Sequence, residues 1–146
     1  MVAVNSPAGE RRTVLGDAVT VTPAEEHVEI LKGIPITGVK QIAGKLGLTW
    51  DDLAKRCGLS RSTFRRKLKQ RNWRLNAVES DALARYARLH AKAREVFEGD
   101  EEAARTWLHS SQPGLGNAVP LEFARTTVGY REVEKLLTRI DLGVYA

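Results

Sequence analysis

Apolar residues along this chain fall at helical spacings, broken by glycine, proline and capping residues, and nowhere alternate long enough to read as a sheet. Val133, Leu136, Leu137 and Ile140 form an i, i+3, i+4, i+7 stripe that Gly143 stops. The longest pattern runs from Ala77 to about Phe97 behind an Asn76/Glu79 capping box. Its apolar positions, Leu83, Tyr86, Ala87, Leu89, Ala93, Val96 and Phe97, cover more than one stripe, so this helix touches neighbours on two sides. Ahead of it, Thr22-Pro23-Ala24-Glu25 starts a helix that reaches Lys32 and stops at Gly33. Val39, Ile42, Ala43 and Leu46 mark another, ending at Gly47. Behind the long helix, Gly99 gives way to Asp100, Glu101 and Glu102, acids that suit a helix start; that helix carries Ala104, Trp107 and Leu108. Ser110 to Val119 reads as a loop, and Pro120 opens a short helix through Ala124 that Gly129 closes. Met1 to Val21 has no steady pattern; Ala18 to Val21 would fit a short strand, and a mobile arm fits better. The fold class is all-α, with no internal repeat.

Between these elements, Thr49 to Arg74 has the order of parts of a helix-turn-helix. Thr49 and Asp52 are set as a capping box, and Leu53, Ala54 and Cys57 make one apolar face. Gly58 supplies the left-handed residue that ends the first helix, Leu59 is a buried plug, and Ser60 caps the second helix. Phe64 and Leu68 bury that helix, and Ala54 is small enough for a close crossing. Where an apolar residue is usual, three after Phe64, the chain has Lys67; either its methylene stem covers the gap or Leu68 packs on a slightly rotated helix. The chain thus divides into an arm over 1–21, a helix-turn-helix domain over 22–75, a bridging helix over 76–98 and a small helical module over 99–146.

Charge says what the helix-turn-helix is for. From Leu53 to Val78 there are nine basic residues and no acid, within a chain of net charge +5, which leaves −4 for everything outside. Such a localised basic face suits phosphates. Arg61, Ser62 and Arg66 are placed towards base edges, Arg65 and Lys69 towards phosphates, with Ser60 and Thr63 completing the DNA-facing set. One short recognition helix reads few base pairs, so a homodimer on an inverted repeat is expected, with half-sites about 34 Å apart.

At 146 residues, 42% hydrophobic and 28% charged, the composition is that of a soluble globular protein. Its single cysteine, Cys57, excludes an internal disulfide framework and falls on a core face. His27, His90 and His109 have no metal-ligand spacing, and His109-Ser110-Ser111 reads as a helix end, not a nucleophile cluster. Gly114-x-Gly116 lacks the third glycine of a phosphate loop. No enzyme, cofactor or metal is indicated. The chain shows neither a signal core nor a membrane-length apolar run, so it is expected to be cytoplasmic.

The module over 99–146 closely resembles the toxin-binding domain of the Xre/MbcA/ParS antitoxins. The likeness is carried by Glu102-Ala103, Trp107-Leu108, Leu115-Gly116, Pro120-Leu121, Thr126-x-x-Gly129, Val133, Leu137, Arg139-Ile140 and Gly143-Val144-Tyr145-Ala146. Gly33-Ile34-Pro35, Ser60-x-x-Thr63, Arg66 and Glu79-Ser80-Asp81 resemble the Xre part. Asn117 stands where glycine is common, and Thr127 where an acid is common. The resemblance implies an antitoxin partnered by a RES-domain toxin that consumes NAD⁺, neutralising it in its active-site cleft and repressing its own operon. Arg139, Gly143, Val144, Tyr145 and Ala146 are then the toxin-binding residues; Tyr145, on a tail with little to pack against, fits a partner contact. The competing reading is a stand-alone repressor whose C-terminal half dimerises or senses a ligand.

Overall fold

The structure, a computed structural model, describes residues 22–144. The N-terminal arm, the short strand considered at 18–21, and Tyr145 and Ala146 of the tail lie outside the described residues. Eight α-helices follow one another in this part of the chain: α1 (Pro23–Lys32), α2 (Thr37–Leu46), α3 (Trp50–Arg56), α4 (Arg61–Leu68), α5 (Ala77–Val96), α6 (Glu101–His109), α7 (Pro120–Phe123) and α8 (Thr127–Asp141). A 3-10 turn and two isolated β-bridges accompany them among the described residues. None of these helices is long and apolar enough to cross a membrane.

The helix starts follow from local chemistry. Thr22 Oγ1 accepts from Glu25 N at 3.2 Å while a Glu25 carboxylate oxygen accepts from Thr22 N at 2.7 Å. Asn76 and Glu79 close the same reciprocal box at 2.8 and 2.9 Å. Thr49 makes half a box. Its hydroxyl accepts from Asp52 N at 3.1 Å, but Asp52 turns its carboxylate to Arg56 Nε, 3.2 Å away. A guanidinium one turn along the helix is the stronger donor, so the charged pair replaces the second capping bond.

Packing centres on α5, which lies against α1, α2, α6 and α8. This accounts for its broad apolar surface: Leu83, Leu89 and Ala93 are almost wholly buried, and Tyr86 and Ala87 nearly so. At its first turn the fully buried Ser80 accepts from Ile34 N at 2.9 Å, pinning the α1–α2 connection to α5. Leu75 N donates to Ile34 O at 2.8 Å and Ile36 N to Trp73 O at 3.0 Å, around the Pro35–Arg74 bridge. Gly33 permits this crossing: its φ is +88°, and a Cβ there would sit 2.3 Å from Leu75 O.

The C-terminal helices correct one expectation. Gly129 does not close α7, which ends at Phe123; it lies in the first turn of α8, where its N donates to Thr126 Oγ1 at 3.0 Å. Glycine is needed there by close approach, not by helix termination, since α7's last carbonyl occupies the place of a Cβ. Within the loop before α7, residues Pro113–Leu115 form a 3-10 turn bounded by the Gln112–Ala118 bridge. Asn117 takes φ +68°, the conformation its position demands.

Candidate functional site

The turn between α3 and α4 is built as its residues dictate. Gly58 adopts φ +93°, Leu59 is buried, and Ser60 caps α4 by accepting from Thr63 N at 3.2 Å. Leu53, Ala54 and Phe64 have no exposure, so the two helices cross on an alanine as their spacing required. Burial pushes the Cys57 thiol up to about 12, which leaves it a core residue without nucleophilic character.

The outer face of α4 carries the cations. Arg61, Arg65, Arg66 and Lys69 are exposed, with Lys55 and Arg71 also open to solvent beside them. Ser62 is exposed, whereas Ser60 and Thr63 are joined Oγ to Oγ1 at 2.9 Å and serve the cap. Lys67 and Leu68 share the site where one apolar residue is usual: both are half-buried, and the Lys67 ammonium stands 4.3 Å from the centre of the Trp73 ring. The gap is covered by the lysine stem together with Leu68.

One of the nine cations is not where charge counting put it, and a second, though exposed, is held by the backbone. Arg56 is turned inward, its side chain 3% exposed. Its guanidinium donates to Leu121 O at 2.7 Å and to Glu122 Oε1 at 2.7 Å, and lies 5.8 Å from the centre of the Tyr86 ring. It joins the helix-turn-helix to α7 and leaves the phosphate face. Arg74 donates from Nη1 to Gly33 O at 2.7 Å, supporting the close crossing at Gly33. A second tie between the halves is His109, whose Nε2 is 2.7 Å from Leu46 O. The carbonyl can only accept, so His109 donates, completing the end of α2. Ser110 Oγ donates to Thr106 O at 2.6 Å, a bond at the end of α6.

One residue of this face escaped the sequence pattern. Asp51, two residues before the acid-free stretch opens, accepts from Arg65 through Nε at 3.1 Å and Nη2 at 2.9 Å, and lies 3.3 Å from Arg61 Nε. The only signal was its sequence position on the first turn of α3.

At its C-terminal end α8 closes on its own last turn. Gly143 takes φ +71°; its N donates to Ile140 O at 3.0 Å and Val144 N to Arg139 O at 2.8 Å. Leu142 and Val144 are 71% and 55% exposed, large apolar side chains with little cover, while Arg139 is half-buried. Trp107 is half-buried and packs on Phe97, with ring centres 6.3 Å apart.

Comparison with known proteins addresses both ends. The family described as the antitoxin Xre-like helix-turn-helix domain matches residues 25–88, and the antitoxin Xre/MbcA/ParS C-terminal toxin-binding domain matches residues 92–143. A Photorhabdus laumondii protein named Antitoxin Xre is 27% identical over 113 residues, which are 77% of this chain and 76% of that protein. A Yersinia enterocolitica protein of the same name is 34% identical over 87 residues, 60% of this chain and 57% of that protein. With both domains matched in order, one ending and the other beginning within α5, this chain belongs to the Xre family of antitoxins, a DNA-binding helix-turn-helix joined to a toxin-binding domain.

Proposed function

We propose that this chain neutralises a RES-domain, NAD⁺-consuming toxin through its C-terminal tail and represses its own operon through α4. It acts by binding and performs no reaction itself. The observation that supports this reading is the outward cationic face of the helix-turn-helix. Arg61, Arg65 and Arg66 of α4 face solvent, whereas Arg56 of α3 turns inward and ties the helix-turn-helix to the domain matched as toxin-binding. DNA and toxin can therefore engage opposite functions of one body. On DNA, Arg61, Ser62 and Arg66 read base edges, Arg65 and Lys69 hold phosphates, and Ser60 and Thr63 set the helix start that approaches the backbone. A homodimer places two such helices on an inverted repeat. On the toxin, Arg139, Gly143, Val144, Tyr145 and Ala146 make the contact.

Co-expression with the product of the adjacent gene tests the central claim. A stable complex in which toxin NAD⁺ consumption is suppressed supports it. DNA binding with no complex and no suppression makes the chain a stand-alone repressor instead. The DNA half has its own test. With Arg56 turned inward and Lys67 half-buried, seven of the nine cations are exposed; if about five of them engage phosphates per protomer, log K should fall against log salt with a slope of roughly −4 to −5 per half-site. Arg66→Ala should relax sequence preference, while Lys69→Ala should weaken all sequences alike. A slope near zero would remove the phosphate face.

A further inference from the structure

Asp51 is the second residue of α3, and on α4 Arg61 and Arg65 are one turn apart, so a single carboxylate reaches both. It meets Arg65 as a two-bond fork, through Nε at 3.1 Å and Nη2 at 2.9 Å, and Arg61 through Nε at 3.3 Å. Fork geometry of this kind fixes orientation as well as charge. The Arg65 hydrogen bonds hold the Asp51 carboxyl below its ordinary range against the opposing effect of burial, and the charges of Arg65 and Arg61 add to the lowering. Asp51 is therefore ionised at neutral pH. Arg65 and Arg61 are open to solvent, at 53% and 78%, and Asp51 is half-buried at 27%, so the cluster contributes little to folding stability. Its consequence falls on whatever binds the face. A carboxylate and a DNA phosphate compete for the same guanidinium donors.

We propose that Asp51 is a specificity-determining residue of the DNA face, which holds Arg61 and Arg65 in place and withdraws one positive charge from sequence-independent phosphate binding. The proposal rests on the reading of α4 as the DNA-reading helix. Non-specific affinity comes almost entirely from phosphate electrostatics, so a fixed anion beside the helix opposes it on every sequence. Specific affinity also draws on base contacts near the start of the helix, where Arg61 stands, and those gain from a guanidinium already oriented. The anion thus costs non-specific binding more than specific binding. Discrimination rises while overall affinity falls.

The test compares wild type, Asp51→Asn and Asp51→Glu on two duplexes of equal length and composition. One is enriched by the wild-type protein from a random pool, and the other is its scrambled counterpart. Asp51→Asn should bind the scrambled duplex about five- to ten-fold more tightly near 0.1 M salt, with a salt slope steeper by about 1. Its gain on the enriched duplex should be smaller, so the ratio of the two affinities drops at least several-fold. Asp51→Glu, which keeps the charge, should retain most of the wild-type ratio. An unchanged ratio in Asp51→Asn, or equal weakening on both duplexes, overturns the proposal, and an unaltered melting temperature assigns either result to binding. Failure of the wild type to enrich any sequence is a different outcome: it removes the reading of α4 itself, and this inference falls with it.

Discussion

A chain cut after Leu142 will fold and bind DNA but will not protect a cell that makes the toxin. The deletion removes Gly143 to Ala146, and among the described residues its structural cost is two helix-end hydrogen bonds, Gly143 N to Ile140 O and Val144 N to Arg139 O. Those bonds are near solvent and contribute about 1 kcal/mol together. The core stripe of α8 stays whole, because Val133, Leu136 and Leu137 lie at least a turn before the cut. What is lost is the proposed toxin contact: Val144 is open to solvent, and Tyr145, next in sequence, is proposed as its aromatic anchor. Aromatic anchors in a desolvated pocket commonly account for about 2 kcal/mol or more of binding, so Tyr145→Ala alone should weaken the complex by roughly 30-fold. Growth protection and the dissociation constant of the purified pair are the measurements. Full protection by the truncated chain would transfer the inhibition to the helical body of the domain.

Gly129→Ala should be the most damaging single-methyl change in the described chain. An alanine Cβ at 129 would lie 1.7 Å from Phe123 O and 2.8 Å from Phe123 C, both backbone atoms of the preceding helix. No side chain can swing aside to make room. Either α7 moves off α8, or the Thr126 Oγ1 bond that caps α8 is given up, and Arg56 loses its acceptor geometry at Leu121 O in the first case. Overpacking of a yielding core costs about 1–3 kcal/mol, and a backbone obstruction should reach or exceed the top of that range. For a chain of this size that is roughly 6–12 °C in melting temperature. Gly44→Ala is the natural control. Gly44 is an exposed interior residue of α2 with nothing within 4 Å of its would-be Cβ, so alanine there should stabilise by about 0.5–1 kcal/mol. Opposite signs for the same chemical change, read by thermal unfolding, would establish that close approach and not helix propensity sets the value of Gly129.

Both effects depend on contacts between elements, and that is where sequence reading thinned out. Helix starts were legible because a cap spans three residues: Thr22 with Glu25, Asn76 with Glu79 and Ser60 with Thr63 all meet as spaced. The helix-turn-helix was legible for the same reason, since Gly58, Leu59 and Ala54 act within one short turn. At Gly129 the sequence pattern points to a helix terminator, because only the fold brings the Phe123 carbonyl oxygen to 1.7 Å from the would-be Cβ.

By itself, the sequence determined the all-α class, the caps and order of the helices, the cationic face of α4 and the family, since each rests on residues within a few turns of one another or on an ordered set of motifs. Tertiary structure alone decided which charges are free to act. Arg56 and Glu122 are 66 positions apart, and Arg65 and Asp51 are 14 apart, yet each pair is closed by bonds of 2.7 to 3.1 Å. A count of charges along the chain treats every arginine as equally available. In the fold, one is buried as a clamp between the two matched domains, two share a carboxylate on the outer face of α4, and one supports a backbone crossing. Coulomb attraction depends on separation in space, and separation in sequence does not specify it.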